Sequence, residues 1–258
     1  MDRSQLEEVL AALLPTTPHT AAARYALLGE AKRLRPCLVL LTTEMVGGDI
    51  EQALIPAACL ELIHTYSLVH DDLPCMDDDD TRRGRPTVHK AFDEATAVLA
   101  GDLLLTYAFE RLATAPLLSA EKKITLITIL SQASGFNGML GGQMLDLEAS
   151  QEVDRLHSMK TGALFECALH FGAVIGGVEP KPLVEFGKTF GLLFQAIDDC
   201  LDNDSPLGKE AGDRRAQKLL ERSLKELSLL PYPTQELRSL IMKCVPDRIS
   251  SSIYAESC

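Results

Sequence analysis

Residues 60–83 read Leu60-Glu61-Leu62-Ile63-His64-Thr65-Tyr66-Ser67-Leu68-Val69-His70-Asp71-Asp72-Leu73-Pro74-Cys75-Met76-Asp77-Asp78-Asp79-Asp80-Thr81-Arg82-Arg83. An apolar run of helical type, Leu60 to Val69, thus ends in six carboxylates followed by two guanidiniums. So much like charge at the end of a core helix repels itself unless cations neutralise it, and hard divalent cations choose oxygen ligands of this kind. A lone acidic run is ordinarily a solvated loop. Two features set this one apart: the following Arg-Arg-Gly suits an anion bridged by metal ions, and a second aspartate cluster ends another apolar helix.

That second cluster is Phe194-Gln195-Ala196-Ile197-Asp198-Asp199-Cys200-Leu201-Asp202, closing an apolar stretch that begins near Phe186. At about 100° per residue, Gln195, Asp198, Asp199 and Asp202 share one helix face. The first cluster is less regular, because Asp71 and Asp77 are six apart and an ideal helix returns at the seventh residue, Asp78. Pro74 is expected to kink the helix and make it bulge, swinging Asp77 back toward Asp71. Two clusters of this kind could face each other.

Leu- and Ala-rich segments at helical spacing dominate the rest, with Gly and Pro between them at Gly47-Gly48, Gly176-Gly177 and Pro231-Tyr232-Pro233. The run Ile124 to Ile129 has strand propensity, but Glu121-Lys122-Lys123 before it and Gln132-Ala133-Ser134 after it extend the segment beyond strand length, so it is expected as helix. The expectation is all-α: a single-domain helical bundle over residues 1–258. With 258 residues and 46% apolar content the core is ample. A net charge of −12 and the lack of a basic arm argue against nucleic acid as a partner. Seven cysteines without a Cys-x-x-Cys pair read as reduced thiols. No apolar h-region opens the chain and no uninterrupted apolar stretch approaches roughly 20 residues, so the expectation is a cytoplasmic protein without stable membrane insertion.

Taken together, several ordered motifs resemble the trans-isoprenyl diphosphate synthases, of the bacterial and plastid farnesyl and geranylgeranyl diphosphate synthase type. They are Leu27-Leu28-Gly29 leading to Lys32-Arg33-Leu34-Arg35-Pro36, Glu61 to His70 before the first aspartates, Gly141-Gly142-Gln143-Met144-Leu145-Asp146, Lys160-Thr161-Gly162-Ala163-Leu164, and Phe194-Gln195 before the second aspartates. The resemblance runs from about Tyr25 to Lys209 and implies the isoprenoid synthase fold, a helical bundle around a central cavity. It also implies a reaction in which an allylic diphosphate, dimethylallyl or geranyl, ionises with help from Mg2+ (or Mn2+ in its place), and isopentenyl diphosphate attacks the carbocation. A homodimer is implied as well.

By the same resemblance Asp71, Asp72, Asp77, Asp198, Asp199 and Asp202 are the expected metal ligands, with Asp202 acting through water. Arg82, Lys160 and Lys209 are expected to hold the allylic diphosphate, and Lys32, Arg35, His64 and Arg83 the isopentenyl diphosphate. Thr161 and Gln195 would offer oxygen dipoles to the developing cation. Arg33 is expected to remain an ordinary solvated cation. Tyr66 and Ser67, five and four residues before Asp71, are the candidate floor of the prenyl cavity. An aromatic at Tyr66 and the inserted Cys75-Met76 resemble farnesyl synthases, so a fifteen-carbon product is expected and a twenty-carbon product is the alternative.

The chain departs from the family in two places. Six residues separate Asp202 from Lys209, fewer than in most bacterial relatives, and the spacing from Lys209 to Lys218 is also shortened, which weakens Lys218 as a late phosphate contact. The tail from Val245 to Ser252 lacks the basic segment that often covers the homoallylic site. A noncatalytic partner subunit is the rival reading, although such subunits typically lose an aspartate cluster and both stand here. A cation-cyclising terpene synthase would want an aromatic-rich pocket, and this chain has no Trp and 5% aromatic residues.

Overall fold

The computed structural model describes residues 3–148, 152–202 and 208–250, except for the side chain of Asp202. The shortened loop after Asp202 and the end of the tail lie outside them. Thirteen α-helices account for nearly all of the described regular structure, so the all-α expectation holds. The chain clusters into two compact units, one built from residues 1–40 and 49–128, the other from 41–48 and 129–258.

In the first unit, α1 (Arg3–Leu13) buries Leu6, Leu10 and Leu13 along one stripe, and α2 (Ala21–Leu27) buries Ala22, Ala23 and Leu27. Helix α3 (Leu34–Met45), of which residues 34–40 belong to this unit, has Pro36 in its first turn, where a missing N–H costs nothing. Helix α4 (Ile50–Asp71) is capped by Asp49, whose carboxylate accepts from the Glu51 N–H at 3.0 Å. It is buried on nearly every side and packs along α6 (Glu94–Ala113). By length and composition α4 is apolar enough to cross a membrane, contrary to the expectation from uninterrupted runs. Its single polar residues Glu61, His64 and Thr65 break the run without lowering its average, and 72% of its most apolar window is buried within the protein.

Between α4 and α6 lie a two-stranded hairpin, β1 (Thr81–Arg82) and β2 (Arg85–Pro86), and α5 (Val88–Ala91). The hairpin turn, Arg83-Gly84, holds both central residues at positive φ, 53° and 74°, as a type I′ turn requires. Helix α7 (Ala120–Ser134) contains the β-branched run Ile124 to Ile129 as helix.

The second unit holds α8 (Met139–Leu147), α9 (Val153–His157), a π-helical turn (Ser158–Gly162), α10 (Ala163–Gly176), α11 (Lys181–Asp202), α12 (Lys209–Ser228) and α13 (Gln235–Cys244). Phe165 on α10 packs edge-on against Phe190 of α11, with ring centroids 5.3 Å apart, and Phe186 stacks on Phe190 at 6.0 Å. These rings carry the α10–α11 contact that sets the second aspartate cluster.

Candidate active site

In the first unit the helix stops at Asp71 instead of running kinked through Pro74. Proline disfavours the α region for the residue before it, here Leu73, although Ile55 before Pro56 stays helical within the same α4. A tight turn replaces the expected bulge: the Asp77 N–H donates to the Asp71 carbonyl at 2.8 Å, and Asp78 turns the chain with φ 54°. Asp77 therefore does come back to Asp71, by a different route.

Asp72, expected as a metal ligand, is buried, and its Oδ1 accepts from Arg82 Nε at 2.5 Å. Arg82 Nη2 also donates to Asp79 Oδ2 at 2.9 Å. Burial raises the Asp72 pKa although Arg82 pulls the other way. In this arrangement Asp72 aims Arg82. Arg83 donates to the Glu30 carbonyl at 3.1 Å, and a small pocket beside the hairpin is lined by Tyr25, Gly29, Thr65, Arg82, Arg83 and Arg85.

Arg35 Nη1 lies 3.2 Å from His64 Nε2. Burial, and then Arg35 and its neighbouring arginines, hold His64 well below its usual pKa, so the ring is neutral. A guanidinium only donates, so Nε2 accepts and the proton sits on Nδ1. Lys32 is exposed nearby in sequence, whereas Arg33, expected in solvent, is 3% exposed and ion-paired to Glu61 at 2.8 Å. The left-handed backbone at Arg33, φ 52°, turns its side chain inward. Tyr66 is 3% exposed, and its hydroxyl has no hydrogen-bond partner among the described residues. Burial, with Asp71 adding to it, raises its phenol to about 12. Ser67 Oγ is turned back onto the His64 carbonyl at 2.9 Å.

In the second unit the π-turn is held by two glycines. A Cβ on Gly142 would stand 2.2 Å from Lys160 N, and one on Gly191 would stand 2.7 Å from the Gly162 Cα. Single π-turns of this kind recur at functional sites. This one presents Lys160, whose Nζ meets Asp146 Oδ2 at 2.5 Å, and Thr161, whose hydroxyl donates to Gln195 Oε1 at 2.8 Å. Gln195 Nε2 donates in turn to Asp199 Oδ1 at 2.8 Å. The face predicted for Gln195 and Asp199 is thus present on α11, with Asp198 half-buried beside them. Lys209 is the exposed first residue of α12. Sequence reasoning gave no role to Asp146. The available signal was its position one turn after Gly142, on the face that touches Lys160.

Among the described residues no three Asp, Glu, His or Cys side chains gather tightly enough to hold a metal ion unaided. Magnesium does not require that. It keeps waters and takes one or two carboxylates together with phosphate oxygens, and Asp71 with Asp77, and Asp198 with Asp199, are hard-oxygen pairs of that type. The donor set fits such an ion.

Residues 17–228 match the family model described as polyprenyl synthetase. The chain is 46% identical over 215 residues to geranylgeranyl pyrophosphate synthase 7 of Arabidopsis thaliana, covering 77% of this chain but only 62% of that protein. It is 40% identical over 251 residues to farnesyl diphosphate synthase of Haemophilus influenzae, covering 84% of this chain and 85% of that one. Among solved structures, an FPP/GFPP synthase from Zymomonas mobilis in its apo form aligns with a TM-score of 0.87 at 39% identity, over 94% of this chain and 95% of that one. A geranyltransferase from Legionella pneumophila aligns at 0.86 and 35% identity, over 97% and 94%.

Proposed function

This chain belongs to the polyprenyl synthetase family, and on that premise we propose that it is a short-chain trans-prenyltransferase making farnesyl diphosphate from isopentenyl diphosphate and an allylic diphosphate. The observation that carries the reading is the turn in which Asp77 is bonded back to Asp71 at 2.8 Å, beside an Arg82 aimed by Asp72. It brings two aspartate residues together at one backbone turn, with Asp72 between them in sequence holding Arg82, and carboxylates for a metal together with a guanidinium are what a leaving diphosphate needs.

Asp71 and Asp77, with Asp198 and Asp199, would hold Mg2+ or Mn2+, which when bound supplies positive charge against the departing diphosphate. Arg82, Lys160 and Lys209 hold the allylic diphosphate as its C–O bond breaks. Lys160 arrives already paired with Asp146, so its ammonium is oriented before substrate binds. Thr161 and Gln195 turn oxygens toward the allylic cation. Lys32, Arg35, His64 and Arg83 hold isopentenyl diphosphate, whose double-bond electrons form the new C–C bond, and the released diphosphate takes the proton lost from C2. A neutral His64 contributes a hydrogen bond and no charge, which leaves Lys32, Arg35 and Arg83 as the cations for that diphosphate.

Buried Tyr66, about 7.5 Å before Asp71 along α4, supports the fifteen-carbon product. A homodimer is part of the reading, by likeness to the family. The test is to incubate the purified protein with Mg2+, isopentenyl diphosphate and each allylic primer, and to size the products. Farnesyl diphosphate is expected as the main product, a C20 main product would assign the longer-chain activity, and no condensation with any primer would overturn the proposal.

A further inference from the structure

The segment Lys32-Arg33-Leu34-Arg35 splits its cations between two environments. Lys32 is exposed and Arg35 meets His64, whereas Arg33 between them is buried. Every nitrogen of the Arg33 guanidinium is engaged. Nη1 donates to Glu61 Oε1 at 2.8 Å, Nε to Glu7 Oε1 at 3.2 Å, and Nη2 to the Leu27 carbonyl at 2.6 Å. The side chains of Arg33 and Glu61 are each 2% exposed, so neither reaches a solvent-borne ligand.

These contacts close a ring. Arg33 grips Glu61, Glu61 stands one helical turn before His64 on α4, His64 accepts from Arg35, and Arg35 is two residues from Arg33 along the chain. The backbone at Arg33 adopts φ 52°, which residues other than glycine rarely take, and this directs its side chain inward, opposite in character to exposed Lys32. A buried ion pair is a poor source of stability, because well-packed apolar residues often replace it without loss. What apolar residues cannot replace is direction: a planar fork with three fixed acceptors admits one placement of the backbone that carries it.

We infer that Arg33 is a positioning residue: through its buried pair with Glu61 it fixes Lys32, Arg35 and His64 in the geometry that binds isopentenyl diphosphate. The inference rests on the function proposed above. Arg33 touches no substrate in this scheme, and its effect is confined to one of the two.

The test compares wild type with Arg33→Lys, which keeps the charge but loses the fork, and with the double apolar variant Arg33→Met, Glu61→Met. Each is assayed with either substrate varied, and melted. The KM for isopentenyl diphosphate should rise roughly tenfold in both variants. The KM for the allylic substrate and kcat at saturation should stay within about twofold. The double variant should melt near wild type while keeping its raised KM. An unchanged KM for isopentenyl diphosphate in either folded variant overturns the inference, as does an equal rise for both substrates. If Arg33→Lys does not fold, the double variant decides. If neither folds, the pair is a stability element and the positioning role falls. A wild-type protein that condenses nothing overturns the parent reading and this one with it, whereas an active wild type with unaffected variants overturns this one alone.

Discussion

At the level of single residues, neighbours along a helix are legible in the sequence and burial against distant partners is not. That Gln195 and Asp199 are neighbours could be read from spacing, because offsets along a helix are a local property, and the two are bonded at 2.8 Å. The burial of Arg33 and Asp72 could not, because their fate depends on Glu61 and Arg82, partners distant in the chain that no spacing rule links to them. Replacing Asp71 or Asp198 by Ala should lower kcat by at least about two to three orders of magnitude, since each loss falls mainly on the transition state. Steady-state kinetics at saturating metal would check this, and near-normal turnover would remove the residue from the site. For His64 the pKa is depressed in the fold. Above about pH 6.5 the ring is neutral whether the chain is folded or not, and it contributes no pH dependence. As pH falls below that, the unfolded chain binds a proton that the folded one resists, so stability is lost toward acid. His64→Gln should therefore lose less Tm than wild type between about pH 7.5 and 5.5 in thermal melts.

Among the elements, periodicity identified the helices, including α7 despite its β-branched run, because segment length outweighs intrinsic propensity. It misjudged how α4 ends. The sequence pattern around Pro74 reads as a kink inside a helix, whereas α4 ends at Asp71 and the chain returns through a tight turn. The π-turn at Ser158–Gly162 was also beyond sequence reading, because it arises from the close approach of Gly142 and Gly191. Gly142→Ala would press a methyl onto the Lys160 backbone, and such overpacking costs about 1–3 kcal/mol. The expected result is a lower Tm together with a fall in kcat, since Lys160 and Thr161 must move with the turn. A drop in Tm with kcat intact would show that the turn's position is not critical. Further along α10, burial lifts the Glu166 carboxyl to about 7 from 4.5, against the pull of Lys188. Its ionised form is disfavoured in the fold, so the stability it allows at acid pH is lost as pH rises through about 7. Glu166→Gln should raise Tm at about pH 8 and leave it unchanged near pH 4.5, as differential scanning calorimetry across that range would show.

For the whole molecule, helical periodicity gave the all-α class and composition the acidic balance. It did not reveal the division into two compact units, because contact density is invisible to a count of residues. The net charge of −12 is concentrated in part at the aspartate clusters, and a bound metal–diphosphate pair would offset it there. Mg2+ and inorganic diphosphate added together should raise Tm more than either alone, by about 2.7 kcal/mol at a hundredfold excess over Kd, or roughly 5–10 °C for a chain of this size. Excess chelator should cancel the gain, and an equal rise with diphosphate alone would count against the metal assignment. The apolar α4 has a further consequence during synthesis. A chain leaves the ribosome from its N-terminus, and α4 is complete more than twenty residues before α6, the helix along which it packs, has begun. For that interval a segment with the average hydropathy of a membrane span stands without its cover. The nascent protein is therefore most vulnerable to mistargeting and to capture by chaperones between the emergence of α4 from the ribosome and that of α6. A pause in translation there, or a truncation that removes α6, should send the product to aggregates or to a membrane.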